Sequence, residues 1–86
     1  MKVFISGKLY DEEEASISVF DHGLLYGDGV FEGIRIYNGK VFKLKEHIDR
    51  LYKSANILDL SIPYSNKTIL DKTIEVTKKQ KITNGY

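Results

Sequence analysis

The stretch from Phe20 to Arg35, reading FDHGLLYGDGVFEGIR, constrains this chain more than any other. Four of its seven glycines fall there, at Gly23, Gly27, Gly29 and Gly33. Asp21, His22, Tyr26, Asp28, Phe31, Glu32 and Arg35 stand among them, a dense set of groups able to touch a ligand. Glycine costs chain entropy on folding. Clustering it makes sense where the backbone turns sharply or something approaches closely. The fold must therefore hold a turning, ligand-facing segment against a scaffold made by the remaining residues.

That scaffold reads as strands first and helices after. KVFI at 2–5 and the Leu9-Tyr10 pair flank Ser6-Gly7-Lys8 as two short strands around a tight turn, and the acidic run Asp11–Glu14 reads as a solvated loop. Ile17 and Val19 alternate as in a half-buried strand. Asp21 is placed to cap a helical turn over 22–25 that Gly27 closes. The residues from Val30 to Tyr37 alternate, with Val30, Glu32, Ile34 and Ile36 on one face and Phe31, Gly33, Arg35 and Tyr37 on the other. Asn38-Gly39 is a strong hairpin signal, and 40–43 is the returning arm.

At about 100° per residue, Leu44, Ile48, Leu51, Tyr52, Ala55 and Leu58 gather into one stripe of a helix over 44–58. Arg50 lies roughly 130° from the centre of that stripe, and His47 on its flank. Pro63 forbids continuation, and Ser65 caps a second helix carrying Ile69, Leu70, Thr73, Ile74 and Val76. Asn84-Gly85 reads as its stop, and Tyr86 falls where a new strand begins. The order β-β-β-β-α-α indicates an α+β fold, with two helices on one face of an antiparallel sheet.

At 86 residues the chain makes one small domain with a marginal core. A net charge of +1 gives no support to a nucleic-acid partner, and the Lys78, Lys79, Lys81 cluster reads as a helix C-terminal turn. Without cysteine there are no disulfides, thiolate metal sites or cysteine nucleophiles. Two histidines in separate segments make a poor zinc site, and no apolar run approaches membrane-spanning length. The expectation is a soluble cytoplasmic protein with neither metal nor membrane partner.

Each candidate site residue has a plain structural alternative. GDGVFEG offers G-x-G spacing, but no parallel βαβ unit surrounds it and no helix follows, so the dinucleotide reading fails. Arg50 stands one turn after Glu46, a spacing that favours a surface ion pair. It could also face a phosphate held against the hairpin, for which arginine is well suited. Arg35 sits mid-strand, where it is either exposed or paired with an anion. Tyr26 and Phe31 read as core aromatics or as walls of an apolar pocket. Asp21, Asp28 and Glu32 read as turn, cap or ion-pair groups, and His22 and His47 as hydrogen-bonded structural histidines.

FDHGLLYGDGVFEGIRIYNGKVF followed by LKEHIDRLYKSA resembles the N-terminal part of the fold-type IV, pyridoxal-phosphate-dependent aminotransferases. The match is strongest to the branched-chain amino acid aminotransferases, and the joint pattern YGDGVFEGIR…EHIDRL carries it. D-amino acid aminotransferases and aminodeoxychorismate lyases share GDG and EHIDRL. The D-amino acid enzymes typically depart at FEGIR, which this chain keeps.

The resemblance implies that Arg50 binds the cofactor phosphate. It also implies that Phe31 walls the substrate side-chain pocket and that Tyr26 reaches into a neighbouring subunit's site in a homodimer or higher homo-oligomer. Arg35 would line the site, and the Tyr86 hydroxyl would help hold the substrate carboxylate. The family moves an amino group between leucine, isoleucine or valine and 2-oxoglutarate, using pyridoxal 5'-phosphate. The lysine that anchors this cofactor covalently lies in the family's larger C-terminal domain, and no lysine here matches it. Residues 1–86 are therefore expected to be a single, partial N-terminal small domain of a two-domain enzyme, inactive alone. A non-catalytic binding or dimerisation module is the alternative from another class.

Overall fold

The computed structural model describes all residues from Met1 to Tyr86. Strands β1 (Lys2–Ile5) and β2 (Lys8–Asp11) pair antiparallel, with Val3 opposite Tyr10 and Phe4 opposite Leu9. Their turn uses Ser6 and Gly7, both at positive φ (49° and 86°), the backbone twist that matches a two-residue hairpin. The acidic residues Glu12–Glu14 form one exposed 3₁₀ turn instead of an irregular loop.

Helix α1 (His22–Tyr26) is built as its sequence dictates. The Asp21 side chain accepts from Leu24 N–H, and Gly27 closes the turn in the left-handed region at φ 72°. Next come β3 (Ile36–Tyr37) and β4 (Lys40–Val41), joined by Asn38 and Gly39 at φ 50° and 74°. Helix α2 (Leu44–Ile57) follows, then α3 (Asn66–Gln80). Ser65 caps α3 by accepting from Thr68 N–H, and the helix ends at Lys81 in the left-handed region.

The strands form two separate two-stranded sheets, so the single antiparallel sheet expected from sequence is divided. One expected strand is absent and another is shortened. Ile17 and Val19 are 60% and 67% exposed and no strand pairs with them; Ser18 instead starts the turn into α1 by accepting from Asp21 N–H. Only Ile36 and Tyr37 of the 30–37 arm join the ladder, with one further bond from Phe42 N–H to Arg35 O. The cause is Lys43, whose φ of 51° turns the returning arm into α2 and leaves no strand opposite residues 30–34. The second helix stops at Gln80, ahead of the Asn84-Gly85 stop expected for it.

Gly85 has another role. It bridges antiparallel to Ile36, with Ile36 N–H to Gly85 O at 2.9 Å and the reverse bond at 3.0 Å. Gly39 N–H to Thr83 O at 2.7 Å continues this contact. Residues 83–85 thus lie along the hairpin and deliver Tyr86 beside the 30–35 segment.

The core is thin. Ile36, Leu44, Ile48, Ala55 and Thr77 are the five buried residues, while Leu51 and Tyr52 are half-buried and Leu58 is exposed at the end of its stripe. Thr77 and Thr73 return their hydroxyls to carbonyls four residues back, so neither leaves an unpaired polar group. The radius of gyration is 13.6 Å, against about 12 Å for a compact chain of this length. No helix is long and apolar enough to cross a membrane.

Candidate functional site

The alternation over 30–36 puts Glu32 among Val30, Ile34 and Ile36, and a carboxylate there needs a partner. Helix α2 supplies two. Arg50 donates side-on to Glu32, through Nε to Oε2 at 2.9 Å and through Nη2 to Oε1 at 2.6 Å. His47, three residues earlier and on the same side of α2, places Nδ1 2.6 Å from Oε1. Glu32 is only 9% exposed, whereas Arg50 is 65% exposed. The acid is the fixed member of the pair.

The Arg50 and His47 hydrogen bonds hold the Glu32 carboxyl far below its ordinary range, at about 2. Glu32 in turn pushes the Arg50 guanidinium up. An ionised carboxylate only accepts, so His47 Nδ1 carries the proton and donates. The 3.4 Å approach of Arg50 Nη2 to that same nitrogen is then donor against donor and adds no hydrogen bond. Arg50 Nη1 makes no hydrogen bond within the chain. The surface pair with Glu46 suggested by the helical spacing does not form; Glu32 takes its place.

Lys43, Glu46, His47 and Arg50 line a cleft of about 260 Å³. Two other clefts are more apolar. One of about 290 Å³ lies between the first hairpin and α3, and one of about 410 Å³ between the second hairpin and α3. Neither holds Arg50, Glu32 or a histidine, so the chemistry points to the smaller cleft.

The other site residues fall into two groups. Tyr86 lies against Gly33, so close that a Cβ there would meet its hydroxyl, which brings it beside Glu32 and Ile34 in the chain. Arg35 is exposed, with its guanidinium carbon 5.5 Å from the centre of the Tyr37 ring. Phe31 is 88% exposed and Tyr26 70%. Tyr26 stacks at 4.5 Å on His22, whose Nδ1 lies 2.8 Å from Asp28 Oδ2. Neither aromatic is core in this chain. The sequence alone marks Glu32 as no more than a generic ion-pair group, and Gly33 as one glycine among four. The signal for Glu32 is an acid placed on an otherwise apolar face.

The glycine-rich segment packs Glu32 onto Arg50 and His47 of α2, beside a cleft that Arg50 lines. The class IV amino-transferase family profile matches residues 29–86, and the chain belongs to that family. It is 54% identical over all 86 residues to a putative branched-chain-amino-acid aminotransferase of Methanocaldococcus jannaschii, covering 30% of that protein. It is also 49% identical over 77 residues to a D-alanine aminotransferase of Listeria innocua, covering 86% of this chain and 27% of that one. Among solved structures, the branched-chain aminotransferase from Thermoproteus uzoniensis with norvaline superposes with a TM-score of 0.81 at 42% identity, over 100% of this chain and 29% of that one. The T.th. branched-chain amino acid aminotransferase complexed with N-(5'-phosphopyridoxyl)-L-glutamate gives 0.90 at 36% identity, over 96% of this chain and 29% of that one. The fold is thus that of the N-terminal region of fold-type IV aminotransferases, and the chain spans about 30% of the length of these relatives.

Proposed function

We propose that residues 1–86 form the N-terminal small domain of a two-domain, pyridoxal 5'-phosphate-dependent branched-chain amino acid aminotransferase in the cytoplasm. The observation that carries this reading is Arg50: its Nε and Nη2 are committed to Glu32, while Nη1 is free for a phosphate. The donor set fits that group, because a guanidinium fork binds a carboxylate on one edge and a phosphate on another. Bound pyridoxal phosphate supplies the carbonyl and electron sink through which an amino group passes between leucine, isoleucine or valine and 2-oxoglutarate.

This chain's own part is binding and orientation. Arg50 holds the phosphate. Phe31 is an exposed apolar wall suited to a branched side chain. Arg35 and the Tyr86 hydroxyl offer donors for the substrate carboxylate. Tyr26, exposed at the end of α1, serves the neighbouring subunit in a homodimer. The many exposed apolar residues between Ile17 and Phe31 support a covering surface from further polypeptide or a second copy.

Cofactor affinity of Arg50→Ala in the full enzyme tests the phosphate role, and unchanged affinity would return Arg50 to a surface ion pair. Rates on L-leucine and D-alanine test the substrate. The second reading, a D-amino acid aminotransferase, is supported by the Listeria innocua relative. A clear preference for D-alanine would establish it in place of the first.

A further inference from the structure

We infer that Glu32 is the positioning residue for the phosphate-binding arginine: it fixes Arg50 through Nε and Nη2 so that Nη1 remains the donor presented to a phosphate. The inference rests on the phosphate role proposed above for Arg50.

An exposed arginine on a helix surface samples many rotamers, and a planar fork binds well only when its orientation is held. Arg50 is 65% exposed, so packing does not hold it. Glu32 does. Its side chain is 9% exposed, and Oε1 receives three donors: His47 Nδ1 at 2.6 Å, Arg50 Nη2 at 2.6 Å and Arg50 Nε at 3.1 Å. His47 therefore clamps the acid from α2 while the acid clamps Arg50 from the 30–35 segment. Three parts of the sequence pattern, EGIR, His47 and Arg50, become one unit.

Glu32 could instead be expected to compete with a phosphate for the guanidinium. The geometry argues otherwise. Guanidinium has five N–H groups, and the side-on pair uses Nε–H and one hydrogen of Nη2. Both hydrogens of Nη1 and the second of Nη2 stay free on the other edges. Of the other charged groups lining the cleft, Lys43 adds a cation, Glu46 opposes it, and His47 is already turned to Glu32.

The test uses the full chain, titrated with inorganic phosphate and with pyridoxal phosphate, with phosphate-free pyridoxal as control. The Arg50 Nε–H signal is followed by NMR. In the wild type, phosphate is expected to shift the Nη signals while Nε–H stays protected from exchange. Glu32→Ala should lose that protection and bind phosphate about tenfold more weakly, the scale on which partners of a ligating residue act. Glu32→Gln keeps one acceptor oxygen, and should lose a smaller factor with protection partly retained. Equal or tighter phosphate binding by Glu32→Ala would overturn the inference and make Glu32 a competitor. So would Glu32→Gln with protection lost and affinity unchanged. Arg50→Ala separates the two levels: undiminished phosphate binding there overturns the Arg50 reading itself, whatever the Glu32 variants do.

Discussion

Gly33 and Tyr86 meet in a contact that only a residue without a Cβ allows: a Cβ at Gly33 would overlap Tyr86 Oη and lie 2.6 Å from Cζ. Gly33 has no left-handed φ, so its backbone would accept alanine. The constraint is the ring alone. Gly33→Ala should therefore displace Tyr86 while shifting stability by no more than about 0.5 kcal/mol, because Tyr86 is exposed. Loss of nuclear Overhauser contacts between the Tyr86 ring and residue 33, with an unchanged melting temperature, is the expected result. An alanine still in contact with the undisplaced ring would contradict it.

The second prediction concerns acid. Glu32 titrates at about 2 instead of its ordinary 4.5, chiefly through the Arg50 hydrogen bond and then through His47. Its folded pKa is depressed, so its stabilising contribution is fully present above pH 4.5 and is lost as pH falls through about 2. Glu32→Gln should be less stable than wild type at pH 5 to 7, and the gap should close between pH 4.5 and 2. Chemical denaturation across that range, beside a carbon-detected titration of the Glu32 carboxyl, measures both. A gap independent of pH would mean the pair contributes nothing through its charge.

Gln80 carries the third. Its Oε1 accepts from Lys2 N–H at 2.9 Å, and its Nε2 donates to Lys2 O, so one side chain pairs with β1 as a neighbouring strand would. The two hydrogen bonds tie the last turn of α3 to the first strand. At about 1 kcal/mol each, their removal in Gln80→Ala should cost about 1–2 kcal/mol in urea denaturation. Gln80→Glu is expected to lose part of this, since a carboxylate cannot donate to Lys2 O. Equal stability of all three proteins would show the Lys2 groups to be satisfied by water.

These relationships also show what sequence can and cannot reveal. The two hairpins, α1 with its Asp21 cap, and both long helices are legible, because each is specified by residues within a few positions: Ser6-Gly7, Asp21 with Gly27, Asn38-Gly39, Ser65. The strand expected at 17–19 is absent, and the one expected over 30–37 keeps only Ile36 and Tyr37. Alternation states which face a strand would bury, but a strand also needs a partner, and Lys43 turns the returning arm away before residues 30–34 gain one. The Arg50 partner is misplaced similarly. Helical spacing favours Glu46, whereas Glu32 arrives through the tertiary fold, eighteen residues distant in sequence. Likewise, nothing local announces that Gly33 must admit Tyr86.

The last prediction tests how little holds the fold. Only five of 86 residues are buried, and Ile48, at 3% exposure, sits on the α2 face that forms this core with Leu44 and Ala55. Truncating a buried isoleucine to alanine costs about 2–4 kcal/mol, through lost transfer energy and a residual cavity. Small domains hold roughly 5–15 kcal/mol in total, and a core this thin belongs at the low end or below. Ile48→Ala should thus populate the unfolded state visibly by circular dichroism at 25 °C, while Ile48→Val, at about 1 kcal/mol, should stay folded. Ile57 on the same helix is 81% exposed and serves as the control. Ile57→Ala loses no burial and gains helix propensity, so it should be neutral or slightly stabilising. Equal destabilisation by Ile48→Ala and Ile57→Ala would mean that α2 is held by its own helicity, and that the core around Ile48 contributes little.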